Sequence, residues 1–198
     1  MALTLVKEDG SGKTDANSYA DVADGDAYHD GHLYASAWTG ATPDRKAAAL
    51  VMATRLIDSQ FQFNGSRTSA SQALQWPRAE CRDPDMGLVT LSVLLPMLSD
   101  FVPYGSVPKA VVRATCEMAR ELLVVDRTAA PPGEGVESVQ TGHSSQDVGG
   151  TGISSESSTT KYSKADTRPI ISRVARSMLG KFGALISGGG GVVRLVRA

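Results

Sequence analysis

The chain has 198 residues, 41% of them hydrophobic and 21% charged, and a net charge of −1. That is an ordinary balance for a water-soluble chain with one core, and no apolar run is long enough to cross a bilayer. Aromatic residues supply only 6%, so the expected core is small and aliphatic. The two cysteines, Cys81 and Cys116, have no metal spacing, which makes a reducing compartment the default. The near-neutral total hides a division. Residues 1–44 carry a net −6 and residues 167–198 a net +6. Such a split is either plain solvation or a basis for head-to-tail association.

Residues 2–6 (ALTLV) read as a short strand, and the first ten residues lack the charged and apolar regions of a secretory signal. Gly12-Lys13-Thr14 imitates the end of a phosphate-binding loop, but Lys7 stands where that loop requires its first glycine, so the segment is expected to be a turn. Ser18 can cap a helix from Tyr19 to about Leu33, with Asp21 in the capping-box position and Gly25 weakening the helix by about 1 kcal/mol. His29 and His32 could share a face of it. Without a third specific ligand beside Asp26 and Asp30, they read as surface histidines. Trp38 falls in a predicted loop.

Thr42 to Arg78 organises the chain. Thr42 is placed to cap a helix, Pro43 suits its first position, and Asp44 complements its dipole. Ala47, Leu50, Val51, Thr54, Ile57 and Phe61 form one apolar face, and Asn64-Gly65 reads as the left-handed stop. Pro77 extends the chain at Trp76, which reads as a core anchor. A turn-rich link, 79–86, leads to the apolar run 87–102, interrupted by Pro96.

Pro108 opens a second strong helix running to about Asp126. Its apolar face is Val111, Val112, Thr115, Ala119, Leu122 and Leu123, with Cys116 and Met118 beside it. Arg113, Glu117, Arg120 and Glu121 are expected on the wet side, and the two helices are expected to pack as the core pair. The Ser/Thr/Gly-rich segment 136–162 reads as a long hairpin with a mobile tip, stabilised by adding to a neighbour's sheet. Thr167 can cap a last helix, Arg168 to about Leu179, buried through Ile170, Ile171, Val174, Met178 and Leu179. Gly188 to Gly191 then forms a joint before a β-competent, basic tail of Val192, Val193, Arg194, Leu195, Val196 and Arg197, the candidate partner-binding residues.

Five pieces carry a resemblance: Glu8-Asp9-Gly10, Ala16-Asn17-Ser18-Tyr19, Arg55-Leu56-Ile57-Asp58, Ala73-Leu74 with Trp76-Pro77-Arg78, and Val193-Arg194-Leu195-Val196-Arg197. In this order and spacing the chain resembles the head–tail adaptor (connector) family of tailed phages, some members of which carry a DnaT-like single-stranded-DNA-binding label. Relative to that pattern, 87–102 looks like an insertion. The resemblance implies a virion protein assembled in the host cytoplasm. It would be a subunit of a ring, commonly a dodecamer, that joins the portal protein to tail proteins such as a nozzle, tail tube or stopper. Packaged DNA would pass through the ring, and the C-terminal end would reach the portal.

The expected architecture is mainly α: a small helical bundle (1–127 with 167–182), a protruding β-hairpin (128–166) and an extended C-terminal tail (183–198). No catalytic constellation, cofactor site or metal set stands out, and neither enzymatic activity nor membrane association is expected. The other reading is a single-stranded-DNA-binding module. It would need exposed aromatics beside cations, and the basic C-terminal region offers only Phe182.

Overall fold

A computed structural model describes residues 3–83, 101–129, 138–143, 156–161 and 169–186. Helix α1 is Val22–His29, α2 is Ser36–Thr39, α3 is Pro43–Gln60, α4 is Lys109–Val124 and α5 is Arg173–Leu179. The strands are β1 Phe61–Phe63, β2 Ser66–Arg67, β3 Arg78–Ala79, β4 Ser138–His143, β5 Glu156–Lys161 and β6 Gly183–Leu185. They form three two-stranded antiparallel sheets, β1–β6, β2–β3 and β4–β5. Contacts divide the chain into one unit of Met1–Asp126 with Ile170–Ala198 and a second of Arg127–Pro169. Among the described residues, no helix is long and apolar enough to cross a membrane.

This corrects the expectation of a mainly-α bundle with a hairpin and a free tail. Among the described residues, five helices are joined by short antiparallel strands, and two of the three sheets belong to the first unit. The helix opened by Thr42 ends sooner than its periodicity suggests. Thr42 accepts a bond from the Arg45 amide at 3.4 Å, as its position dictates. At Phe61, however, the backbone turns extended (φ −123°, ψ 125°), and Phe61 and Phe63 alternate inward as strand residues. Their partner is Gly183–Leu185, assigned by the sequence to the tail. Asn64-Gly65 is therefore the turn between two strands. Gly65 has φ +73°, and a Cβ there would lie 2.2 Å from the Ala79 carbonyl oxygen.

The N-terminal elements also differ. Residues 3–6 form no strand; Lys7 and Ser18 make an isolated bridge, and the Val6 carbonyl accepts from the amides of Asn17 and Ser18. Asp21, not Ser18, caps the first helix, exchanging bonds with Asp24 in a capping box, and the helix ends at His29. The loop expected at Trp38 is the one-turn helix α2, and Trp38 is fully buried. Gly25 makes that burial possible, because a Cβ at this position would lie 2.2 Å from Cζ2 of Trp38. The last helix begins at Arg173, capped by Ser172, whose hydroxyl accepts from the Ala175 amide at 3.2 Å. Its inward face is Ile171, Ala175 and Leu179, whereas Val174 is exposed.

Helix α4 is the centre of the first unit. Helices α1, α2, α3 and α5 all pack on it. Leu50 and Ile57 of α3, Val111 and Met118 of α4, and Leu179 of α5 are fully buried in one cluster with Trp76 and Phe182. Full burial of side chains this size stabilises by roughly 1.5–3 kcal/mol each.

Candidate functional site

The six tail residues proposed from sequence to bind a partner, Val192, Val193, Arg194, Leu195, Val196 and Arg197, lie outside the described residues, as do residues 144–155 at the expected hairpin tip and 84–100. Phe182 is described, and it is not a stacking platform. It is 5% exposed and meets Trp76 edge-on, with ring centroids 6.0 Å apart.

Three of the motifs behind the family resemblance converge on one buried clamp. Tyr19 Oη donates to Asp58 Oδ1 at 2.5 Å. The Gln75 amide reaches both Asp58 Oδ2 and Tyr19 Oη at 3.1 Å, and the Trp76 amide reaches Tyr19 Oη at 3.3 Å. Arg78 closes the same turn from below. Its Nε donates to the Asn64 carbonyl at 2.7 Å, Nη2 to that of Gly65 at 2.6 Å, and Nη1 to that of Gln75 at 3.0 Å. Trp76 is thus seated by hydrogen bonds on both sides of it in the chain. Burial raises Asp58 to about 6 against the opposing bonds from Tyr19 and Gln75. Burial, then the Asp58 charge, pushes Tyr19 well up. With its oxygens bonded to neighbouring amides, the pair positions a backbone turn. Sequence reasoning quoted these residues as a pattern but could not pair Tyr19 with Asp58 across the intervening helix.

The segment that imitates a phosphate loop is built around its own anion. Glu8 is 1% exposed; its Oε1 accepts from the amides of Gly10 (2.8 Å) and Gly12 (2.9 Å), and its Oε2 from that of Lys13 (2.9 Å). Lys13 turns to Asp9 at 2.8 Å. The amides that would cradle a phosphate are already used.

A second polar cluster lies between α1 and α4, and here the sequence reading needs correction. His29, expected at the surface, and Glu117, expected on the wet side of α4, are each 2% exposed. His29 Nε2 donates to the Cys116 carbonyl at 3.2 Å, which leaves Nδ1 as a bare acceptor with no partner. Glu117 Oε1 accepts a short bond from Arg120 Nη2, while Oε2 stands 3.8 Å from His32 Nε2 and, like Arg120 Nε, has no hydrogen-bond partner. Burial lowers the affinity of His29 for a proton. Among the described residues, no group of three His, Cys, Asp or Glu side chains is placed to hold a metal ion. Glu117 was misplaced because α4 is covered from several sides, so its charged residues do not mark a solvent face.

Two surface grooves are lined by described residues of this unit. One, of about 600 Å³, places Tyr28 and Met178 among Lys7, Lys109 and Arg113. Lys7 is already paired with Asp21 and Asp24. The other, of about 420 Å³, runs beside β6 under Arg173 and Arg176. The exposed aromatics among the described residues are Tyr34, Tyr104 and Phe101, and both tryptophans are fully buried.

A family model described as "Putative DnaT-like ssDNA binding protein" matches residues 3–198. Neither a curated protein nor a solved structure matches the chain. The chain belongs to this DnaT-like family, whose model covers it almost end to end.

Proposed function

We propose that this chain is a structural subunit of the head–tail adaptor of a tailed-phage virion, a ring of identical copies that joins the portal protein to the tail. The observation that carries this reading is the β4–β5 ribbon. It is a two-stranded sheet of six residue pairs in a unit of its own, with Ser138 opposite Lys161 and His143 opposite Glu156. A two-stranded ribbon is marginal in water unless another layer or strand joins it. A ring supplies that neighbour in every copy. The first unit supports the same reading from the other side, because its polar clusters organise backbone and core rather than a reacting centre. The motifs that resemble the adaptor family are spent on that scaffold and on the basic tail.

Portal binding is assigned to Val192–Arg197, hung on Gly188–Gly191 and repeated around the ring, where weak contacts add by multivalency. The test is to mix purified portal rings with the full chain and with a chain lacking Val192–Ala198. The full chain should co-sediment as a ring on the portal, and the truncated chain should fold but stay behind. Equal mounting by both would remove the tail from the proposal, and mounting by neither would remove the adaptor role.

The second reading is single-stranded-DNA binding, favoured by the family description and by one surface feature. Tyr28, Lys109 and Arg113 share the 600 Å³ groove, and an aromatic beside cations is what base stacking and phosphate contacts require. An oligothymidylate that binds tightly and is released by Tyr28→Ala with Arg113→Ala would favour this function. Weak binding that vanishes with salt and ignores Tyr28 would leave only phosphate attraction.

A further inference from the structure

Among the described residues, strand β6 is paired on one side only. The Asn64 amide bonds the Phe182 carbonyl at 2.9 Å, the Ile186 amide bonds the Gln60 carbonyl at 2.8 Å, and Gln62 stands opposite Ala184 between them. In an antiparallel ladder, alternate residues send their peptide groups the other way. Gly183 and Leu185 therefore present N–H and C=O groups on the outer edge, without partners among the described residues. The 420 Å³ groove is lined by Gly183, Ala184 and Leu185 of this strand, by Phe61 of β1, and by Arg173 and Arg176 of α5. Both arginines are exposed, and neither has an ion pair among the described residues.

We propose that the outer edge of β6 is a docking site for an extended, acidic peptide strand from a partner protein. The strand would continue the β1–β6 sheet through Gly183 and Leu185 and set carboxylates against Arg173 and Arg176. Main-chain bonds supply affinity in this mode, and side chains alternating along the strand supply fit. Charge chooses among the occupants. The chain's own residues 187–198 carry Arg194 and Arg197 and no acidic side chain, so they bring like charge to the groove. A second copy pairing edge to edge would set its arginines against these, which is also how native edges avoid self-association. The site deepens the assembly reading by naming a docking surface, yet its test involves no portal, so the two fail separately.

The experiment uses the full chain, labelled for amide NMR, and a short synthetic peptide of alternating valine and glutamate. Titration should shift the Gly183 and Leu185 amides. Affinity should fall by about tenfold or more for Arg173→Glu with Arg176→Glu, roughly the size of one lost interfacial charge pair, and be retained with lysine at both positions. A valine–glutamine peptide should bind as weakly as the glutamate variant does. No shift at Gly183 and Leu185, or equal binding of the glutamine peptide, overturns the proposal. An oligothymidylate that shifts the same amides and displaces the peptide overturns it in favour of nucleic acid.

Discussion

The Tyr19–Asp58–Arg78 clamp and the His29–Glu117–Arg120 cluster are both polar and both sunk into the first unit, yet they are satisfied in different ways. Beyond the Tyr19–Asp58 bond, the clamp reaches mainly backbone: the amides of Gln75 and Trp76 and the carbonyls of Asn64, Gly65 and Gln75. In the cluster His29 bonds the Cys116 carbonyl and Glu117 bonds Arg120, and His29 Nδ1, Glu117 Oε2 and Arg120 Nε are left without hydrogen-bond partners. A backbone turn has fixed, close-spaced groups that one guanidinium or carboxylate can complete. Two packed helices spend most of their peptide groups within themselves, so polar side chains buried between them find few fixed partners. The first arrangement specifies where the chain goes, and the second fills the space between helices.

Five substitutions test this contrast. Arg78→Met should be the most damaging, because it strands three inward carbonyls at once. A loss of about 3–5 kcal/mol in denaturant unfolding is expected, and a loss below about 1 kcal/mol would show that water replaces the guanidinium without cost.

Asp58 gives the next largest effect, and it is a pH effect. The folded chain holds a proton on Asp58 up to about 6, whereas an unperturbed aspartate releases it near 3.8. Over that interval the native state binds more protons than the unfolded state, so stability falls as pH rises, by about 3 kcal/mol in total. Asp58→Asn should abolish this fall relative to the parent chain. Parallel pH profiles for the two proteins would mean that the carboxyl titrates normally. His29 works in the opposite sense. Its proton affinity is lowered by burial, so its contribution is intact above the ordinary histidine value of 6.5 and is lost as pH drops below it. His29→Gln should remove that acid-side loss.

Tyr19→Phe comes next. Asp58 loses a donor, and the Gln75 and Trp76 amides lose an acceptor, for about 1–3 kcal/mol by thermal unfolding. Glu117→Gln should be the mildest, within about 1 kcal/mol of the parent in either direction, since it removes a buried charge together with its imperfect pairing. If Glu117→Gln is instead as severe as Arg78→Met, the cluster is as much a determinant of the fold as the clamp.

What the sequence revealed follows the same line. The start of α3 was legible because capping is local: Thr42, Pro43 and Asp44 act within one turn. The burial of Leu50, Ile57 and Trp76, and the pairing of α3 with α4, followed from periodicity and size. Strand β1 was missed because its reason lies far along the chain, at Gly183–Leu185. Trp38 was read as loop because the glycine that admits it is on another helix, and nothing local at Gly25 announces a tryptophan. Glu117 and His29 were placed in water because polarity was taken as a sign of exposure, whereas each has its neighbours across the α1–α4 contact. The structure shows that three of the quoted motifs are one object.

The return of the chain at Ile170 sets an order of events during synthesis. The ring of Phe182 stands edge-on against Trp76, and β6 is the partner that holds β1 extended. Both are made after the whole of Arg127–Pro169. A nascent chain whose residues beyond 170 are still inside the ribosome has α3, α4 and the Tyr19–Asp58 clamp available to it, but one wall of the tryptophan pocket is missing and β1 is unpaired. The first unit therefore cannot finish folding as it emerges. It must wait for an element more than a hundred residues downstream of β1, and until then it shows the translation machinery an open apolar pocket, a natural point of engagement for a holding chaperone.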